Sequence, residues 1–159
     1  MMKRLRVYAD TSVFGGCHDD EFLDVSRSFF DEVSAGRFRL VISEVVLREL
    51  ALAPESVQAV LGRLDPQSVE ILRFTEEVGR LRDGYIRAGV LGSASVNDAE
   101  HIAFGSVAVV DLFVSWNFKH IVHFDKIAGF GAVNLLHGYR EIRIHSPREV
   151  IEHDTGEGI

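Results

Sequence analysis

The sequence predicts an α/β fold, a single three-layer α/β/α domain in which a mostly parallel sheet lies between two layers of helices. Short apolar segments alternate with segments of helical periodicity along the whole chain, a pattern typical of β-α-β units. The length of 159 residues suits one hydrophobic core, and the hydrophobic fraction of 47% argues against disorder.

Strands are predicted where short segments are rich in apolar and β-branched residues, at 5–9, 38–42, 69–74, 112–115 and 142–144. Helices are predicted from apolar spacing and capping residues, at 20–35, 43–53, 75–88, 97–107, part of 120–133, and after both Pro54 and Pro147. Ser43, Asn97 and Ser146 occupy the expected N-cap positions. The pair Gly15-Gly16 predicts an irregular segment after the first strand.

The domain is predicted to span residues 1–150, because no repeat, low-complexity segment or linker interrupts this part of the chain. Residues 151–159 are predicted to form a flexible acidic tail that carries Glu152, Asp154 and Glu157.

Composition excludes several classes of protein. Cys17 is the single cysteine, so the chain has no internal disulfide and no thiolate metal site, which suits a reducing compartment. The N-terminus is basic but reaches Asp10 before a signal-peptide core can form. The apolar runs are far shorter than the ~20 residues that span a bilayer. We therefore expect a soluble, cytoplasmic protein that does not enter a membrane.

The net charge of −7 counts against a nucleic-acid partner, because phosphate binding favours a basic surface. Two features weaken this objection. Carboxylates that hold divalent cations no longer present a negative field once the cation is bound. The acids Glu149, Glu152, Asp154 and Glu157 also lie together near the C-terminus, away from any predicted site.

Asp10 follows the first strand directly, at the edge where ligands bind in open α/β sheets. Thr11 and Ser12 add further oxygen atoms at the same place. Taken alone, an aspartate in this position is better explained by a turn or a helix cap.

Glu49 lies in a predicted helix whose apolar stripe includes Val45, Val46 and Leu50, and its spacing from these residues inclines it toward the core side. Glu44, five residues earlier, lies about 140° around a helix of ~100° per residue, so the two glutamates should not share one site. An ordinary solvated glutamate is the alternative explanation for Glu49.

Asp98 begins another predicted helix, where the helix dipole alone favours an acid. His101 lies one turn later, where it can orient Asp98 or contact a substrate, and a surface or core histidine is favoured over a metal ligand at this position. Asn117 follows the fourth strand and supplies a neutral oxygen ligand at a strand end. Asp111 begins that strand and therefore belongs to the opposite edge.

Three acids and one amide at strand ends or adjacent helix starts form a stronger pattern than any one of them. Oxygen ligands of this kind suit Mg²⁺ or Mn²⁺, which lower the pKa of bound water and polarise a phosphodiester.

With these residues in place, the chain resembles the PIN-domain family, which includes the VapC-like toxin ribonucleases of toxin–antitoxin pairs. The resemblance runs from Val7 to the helix after Pro147, and its motifs are short but ordered and correctly spaced. They lie at residues 7–12, 41–50, 97–103 and 112–118.

The resemblance implies that Asp10, Glu49 and Asp98 are metal ligands for Mg²⁺ or Mn²⁺ in a ribonuclease that cleaves by metal-activated water. The family commonly has a fourth acid where this chain has Asn117. Loss of that charge implies weaker metal binding, one ion rather than two, or a silent member that binds RNA or a protein.

Substrate contacts are expected from Ser12, Lys119 and His120, with Ser12 bonding either substrate or a ligand carboxylate. Trp116 either stacks on a base or packs against the sheet. The toxin role further implies RNA as substrate, a homodimer and a cognate antitoxin. The apolar helices between Asp20 and Leu64 form either the surface for that partner or a core face.

Phosphoaspartate proteins are the alternative class, since they also place an aspartate after the first strand. A receiver domain needs a second aspartate near Phe74-Thr75, and a phosphatase needs an acid where Ser12 stands, so both rank below the nuclease. A dinucleotide-binding fold is excluded because Gly15-Gly16 lacks the phosphate-turn pattern.

Overall fold

A five-stranded parallel sheet organises the structure, a computed structural model that describes residues 4–156. The strands are β1 (Leu5–Ala9), β2 (Phe38–Ser43), β3 (Val69–Leu72), β4 (Leu112–Val114) and β5 (Ile144–His145). The helices in the described range are α1 (Thr11–Gly16), α2 (Leu23–Ser34), α3 (Glu44–Leu50), α4 (Glu55–Gly62), α5 (Glu76–Arg87), α6 (Val96–Val107), α7 (Phe124–Leu136) and α8 (Pro147–Gly156).

The strand order is β3-β2-β1-β4-β5, with β1 at the centre. Val7 is in register with Leu40 of β2 on one side and with Leu112 of β4 on the other. The chain therefore builds outward from β1 to β3 and then returns to the other side for β4 and β5. Because connections between parallel strands are almost always right-handed, connections that run in both directions from β1 cover the two faces of the sheet with helices. The direction reverses between β1 and β4, and this switch point is where α/β proteins bind ligands.

The centre of the core is strand β1, whose residues Val7, Tyr8 and Ala9 are fully buried. Tyr8 stacks on Phe113 of β4 with ring centroids 4.9 Å apart. Burial of each such aromatic side chain contributes about 1.5–3 kcal/mol to folding. A strand buried on both faces explains the continuous apolar run that predicted it.

The pair Gly15-Gly16 does not break the chain after β1, so this prediction was wrong. Both glycines belong to the short helix α1, which Asp10 caps by accepting a hydrogen bond from the backbone of Ser12. Gly16 is needed for space, because a Cβ there would lie 2.4 Å from Oγ of Ser26 and 2.8 Å from Nε1 of Trp116.

Several helix boundaries also differ from the prediction. Helix α2 begins at Leu23 rather than at residue 20, and α7 ends at Leu136 rather than at residue 133. Helix α6 begins at Val96 with Ser95 in the cap position, so Asn97 lies within the first turn and is not the cap. Helix α3 ends at Leu50, and a turn rather than a further helical turn covers residues 51–53. Local capping signals locate a helix start only to within a residue or two.

The apolar stripe between Asp20 and Leu64 forms a core face. Most of its large side chains are buried, among them Phe29, Phe30, Val33, Val57, Val60 and Leu64, whereas Leu52 in the turn after α3 is 88% exposed. Two further strongly exposed apolar side chains lie on α7, where Phe124 is 84% and Leu136 86% exposed.

Helix α8 carries the backbone to Gly156, past the predicted domain boundary at residue 150. Of the predicted acidic tail, residues 157–159 lie outside the described residues, and its flexibility remains a prediction. Among the described residues, none of the helices combines the length and apolar character required to cross a bilayer.

Candidate functional site at the carboxyl edge of the sheet

The four predicted site residues all come to the carboxyl edge of the sheet around the switch point. Asp10 follows β1 and Asn117 lies just beyond β4. Glu49 is on α3, which follows β2, and Asp98 is in the first turn of α6. The order of the strands thus gathers residues that are far apart in the sequence.

Asp10 is 3% exposed and is held by two serines. Its Oδ1 accepts hydrogen bonds from the backbone and the hydroxyl of Ser12, at 3.1 and 2.5 Å. Its Oδ2 accepts from the hydroxyl of Ser115 at 2.6 Å. Burial raises the pKa of Asp10, and the nearby charge of Asp98 raises it further, while His101 and the serine hydroxyls oppose the shift. A buried carboxylate with a raised pKa is typical of a functional site.

The Ser12 hydroxyl acts both as a hydrogen-bond donor and as an acceptor within the protein. Besides donating to Asp10, it accepts from the backbone N–H of Trp116 at 2.9 Å. Of the two roles predicted for Ser12, the geometry favours the one that holds the carboxylate.

Glu49 is half-buried, and one of its two oxygens carries both of the hydrogen bonds it receives. Oε1 accepts from the hydroxyl of Thr11 at 2.6 Å and lies 2.7 Å from Nε2 of His101. Burial alone would raise the pKa of Glu49, but the hydrogen bonds and charge of His101 and the Thr11 hydroxyl lower it overall. Glu49 is therefore ionised at neutral pH.

His101 is buried and does not face Asp98 as a simple orienting residue. Its Nδ1 lies 2.8 Å from the hydroxyl of Tyr8, which in turn lies 2.6 Å from the hydroxyl of Ser43. Ser43 occupies the N-cap position of α3 as predicted, yet makes no side-chain cap bond, because its hydroxyl is directed to Tyr8. Burial raises the pKa of Tyr8 well above its ordinary value, so the phenol keeps its proton.

Asp98 is less enclosed than Asp10 and lies beside Asn117. Burial raises the pKa of Asp98, and the charge of Glu49 also raises it, whereas His101, His120 and a hydrogen bond with Asn117 oppose the shift. The Oδ1 atom of Asn117 accepts from the backbone N–H of His120 at 2.9 Å, which caps the loop after β4.

The three acids share one electrostatic environment, since Asp98 interacts unfavourably with both Asp10 and Glu49. A cation would relieve this repulsion, and carboxylate oxygens are the ligands that Mg²⁺ and Mn²⁺ prefer. The chemistry of the donors therefore fits a divalent ion. Among the side chains that the structure describes, those of residues 4–151, however, no group of three or more His, Cys, Asp or Glu is arranged to hold a metal. The present hydrogen bonds of Asp10 and Glu49 already occupy much of their accepting capacity.

Two acids that were predicted to lie outside the site, Glu44 and Asp111, do lie outside it. Glu44 accepts from the backbone of Phe74 at 3.1 Å, and Asp111 accepts from the backbone of Arg6 at 2.8 Å at the opposite edge of the sheet. Cys17 is buried, and burial raises its pKa to about 11, so it is not an activated nucleophile.

Trp116 packs within the protein, so a base-stacking role for it is excluded by burial. It is 6% exposed, stacks on Phe22 at 4.2 Å and donates from Nε1 to Ser26 at 2.8 Å. The exposed aromatic ring beside the site is Phe118, which is 48% exposed and lies 6.1 Å from Trp116. Lys119 is also exposed.

Sequence reasoning missed Ser115, Tyr8 and the role of Thr11 in this site. Ser115 was visible only as the last residue of a predicted strand, and its hydroxyl reaches Asp10 across 105 positions of sequence. The available signal was the presence of two polar residues, Ser115 and Asn117, directly after an apolar strand.

With this geometry established, comparison with solved structures identifies the fold. The structure is similar to FitAcB from Neisseria gonorrhoeae, with a TM-score of 0.57, 14% identity, and coverage of 89% of this chain and 98% of that one. It is similar to VapBC2 from Rickettsia felis bound to a DNA fragment from their promoter, with a TM-score of 0.57, 17% identity, and coverage of 89% of this chain and 98% of that one. It is also similar to VapC20 from Mycobacterium tuberculosis, a Sarcin-Ricin loop cleaving toxin, with a TM-score of 0.52, 17% identity, and coverage of 86% of this chain and 98% of that one.

The matched chains are PIN-domain toxins, so this chain has a VapC-like PIN fold. This confirms the fold expected from the sequence resemblance. At 14–17% identity the likeness establishes the fold alone. No protein-family model matches the sequence, and no curated protein matches it.

Proposed function

We propose that this chain is a metal-dependent ribonuclease that hydrolyses RNA phosphodiester bonds as the toxin of a toxin–antitoxin pair. The observation that carries the proposal is the position of Asp10, Glu49 and Asp98, which lie at the switch point of a PIN fold and repel one another there. One of the similar structures, VapC20, is a toxin that cleaves the Sarcin-Ricin loop.

In this proposal Asp10, Glu49 and Asp98 hold Mg²⁺ or Mn²⁺, with Asn117 beside them. When bound, such an ion would supply an activated water and would polarise the phosphodiester. Because the side chains are not arranged as a metal cluster in the structure, binding includes a turn of at least one carboxylate out of its present position. Asp98 is the carboxylate that we expect to rotate, because Asp10 and Glu49 are each held by two or more hydrogen bonds.

Substrate binding is assigned to the loop after β4. His120 is close enough to Asp98 to lower the pKa of that carboxyl group, and the neighbouring Lys119 is exposed, so this loop brings basic side chains to the proposed reaction centre. Phe118 offers a half-exposed ring, braced by Trp116 and Phe22, on which an unpaired base can stack. This loop compensates locally for the acidic charge of the whole chain.

Protein partners are part of the proposal. FitAcB and VapBC2 are complexes, which supports a cognate antitoxin for this chain. A homodimer is proposed through α7, whose exposed face has Ala128 and Ala132 between Phe124 at one end and Leu136 at the other. Two such faces are complementary when the α7 helices of two protomers pack antiparallel. The small residues Ala128 and Ala132 let the two helices approach closely, and Phe124 of each protomer then meets the partner's Leu136. A cytoplasmic location is proposed with the toxin role.

A second candidate is a PIN-fold module that binds RNA or a protein without cleaving. Two observations favour it: Asn117 stands in place of an acid and uses its Oδ1 to cap the backbone of His120, and no metal cluster is formed among the described residues. Phosphoaspartate chemistry receives no support, because Asp10 is enclosed by serines and is 3% exposed.

The two candidates are separated by an RNA cleavage assay with purified protein in Mn²⁺ or Mg²⁺. Asp10→Asn should abolish cleavage, and the matched control Asp20→Asn, an exposed acid in the turn before α2, should leave it unchanged. Cleavage that also vanishes in EDTA supports the nuclease. A folded wild type that binds RNA yet cleaves none with either metal would favour the binding module.

A further inference from the structure

A continuous chain of hydrogen bonds runs through the core and ends on Glu49. It links Ser43 to Tyr8 at 2.6 Å, Tyr8 to His101 at 2.8 Å, and His101 to Glu49 at 2.7 Å. The four residues come from β2, β1, α6 and α3, so the chain connects four elements that meet at the site.

Nε2 of His101 donates to Glu49, because a carboxylate oxygen is an acceptor. On the other side of the imidazole ring, Nδ1 is hydrogen-bonded to the hydroxyl of Tyr8, and that hydroxyl is hydrogen-bonded in turn to the hydroxyl of Ser43. The imidazole of His101 is therefore held at both of its ring nitrogens.

Packing prevents the imidazole from turning away. His101 is 2% exposed, and Tyr8 and Ser43 are fully buried. The ring of Tyr8 lies between Phe113, stacked at 4.9 Å, and His101, edge-on at 5.8 Å. Apolar side chains could fill this space without the cost of burying polar groups, so packing alone does not account for the network.

The two carboxylate oxygens of Glu49 therefore differ in the hydrogen bonds that they accept. Oε1 receives hydrogen bonds from both His101 and Thr11, whereas no hydrogen bond within the described part of the chain reaches Oε2. We propose, on the basis of the proposed function, that His101 is a positioning residue that leaves Glu49 a single free oxygen for the cation. One-oxygen binding suits Mg²⁺ and Mn²⁺, which take six ligands, and disfavours Ca²⁺, which takes six to eight and often two from one carboxylate.

Thr11 completes this arrangement from α1. Its hydroxyl is the second donor to Oε1, and it comes from the residue directly after Asp10. Replacement of Thr11 by valine keeps the shape of the side chain but frees one lone pair of Oε1. Thr11→Val therefore tests selectivity with little effect on packing, while His101 variants test both affinity and selectivity.

The experiment measures Mn²⁺ binding by electron paramagnetic resonance, and Ca²⁺ binding by competition, with full-length protein and no RNA. His101→Leu should weaken Mn²⁺ binding about 10- to 100-fold, the range found when a hydrogen-bond partner of a metal ligand is lost. His101→Gln, whose amide can donate to Glu49, should retain most of the affinity. Thr11→Val should shift the preference toward Ca²⁺. Tyr8→Phe keeps the ring and gives an intermediate loss of affinity even if the leucine variant does not fold.

Several outcomes are distinguishable. Folded variants that bind Mn²⁺ and Ca²⁺ like the wild type would overturn the positioning role and leave the proposed function intact. A wild-type protein that binds no Mn²⁺ would overturn both the positioning role of His101 and the proposed function. Mn²⁺ binding that depends on His101, in a protein that cleaves no RNA, would support the positioning role and overturn the nuclease.

Discussion

Nε2 of His101 lies 2.7 Å from Oε1 of Glu49, a contact that joins α6 to α3 across the site. The two residues are 52 positions apart, and each was predicted from its own local pattern. Their contact explains why the pKa of Glu49 is lowered although the pKa values of Asp10 and Asp98 are raised. The three acids thus have different electrostatic environments although they lie at one edge of the sheet.

Tyr8→Phe is predicted to destabilise the protein by about 1–3 kcal/mol, because it leaves the Ser43 hydroxyl and Nδ1 of His101 buried without their partner. Urea unfolding measures this change. Tyr139→Phe is the matched control, since the Tyr139 hydroxyl bonds Glu77 at an exposed position and its loss should cost under about 0.5 kcal/mol. Equal losses in the two variants would contradict a buried network at Tyr8.

Gly16→Ala is predicted to destabilise the protein by about 1–3 kcal/mol, because the added Cβ would overlap the bonded pair of Ser26 and Trp116. Gly15→Ala, the neighbouring residue in α1, meets nothing within 4 Å and should be neutral or stabilising by up to ~1 kcal/mol. Thermal unfolding of the two variants gives the comparison. A stability loss of the same size at Gly15 would show that helix α1 is wrongly assigned.

The local sequence predicted most of the strands and helices because their signals are local. An apolar run such as β1 and a cap such as Thr75, which accepts from the backbone of Val78, are each formed by neighbouring residues. The helix at Gly15-Gly16 was missed because glycine has low helix propensity, and here tertiary packing at Gly16 overrides it.

The sequence predicted which acids lie at the carboxyl edge of the sheet but not the residues that support them. Asp10, Glu49, Asp98 and Asn117 could be placed there because strand ends can be located in sequence, and their role as a site remains a prediction. Ser115 and the polar chain behind His101 depend on side chains that meet only in the folded protein. Residues that contact across long sequence separations leave no periodic signal, so they require the structure.

Asp98→Asn is predicted to raise the melting temperature at pH 7.5 in EDTA. Burial raises the pKa of Asp98 in the folded state, so the ionised carboxylate destabilises the fold, and stability falls as the pH rises through that pKa. The difference from the wild type should disappear below about pH 4, where the carboxyl group is protonated in both states. Asp20→Asn, at an exposed position, should change nothing. A lower melting temperature for Asp98→Asn would contradict the electrostatic account.

Cys17 is predicted to react slowly with thiol reagents in the folded protein. It is 4% exposed, and burial raises its pKa to about 11, so little thiolate forms at pH 8. The rate of reaction with a disulfide reagent should increase strongly in guanidinium, where the thiol is exposed. A folded-state rate equal to that of a free thiol would show that this part of α1 opens readily.

Phe118→Ala is predicted to weaken binding of single-stranded RNA by about 5- to 100-fold, since stacking of one base contributes about 1–3 kcal/mol. Binding is measured in EDTA with the Asp10→Asn background, so that cleavage does not interfere. Phe118→Tyr should retain the affinity because it keeps an aromatic face. Unchanged binding by the alanine variant would remove Phe118 from the substrate site.

The most direct test of the metal centre is anomalous diffraction from crystals of the protein grown with Mn²⁺. The account predicts an anomalous peak at the switch point, bonded to Oε2 of Glu49 and to carboxylate oxygens of Asp98 and Asp10, with Asp98 turned from its present position. Fully occupied Mn²⁺ at another place, or clear density at this edge without a peak, would contradict the assignment of these acids as the metal ligands.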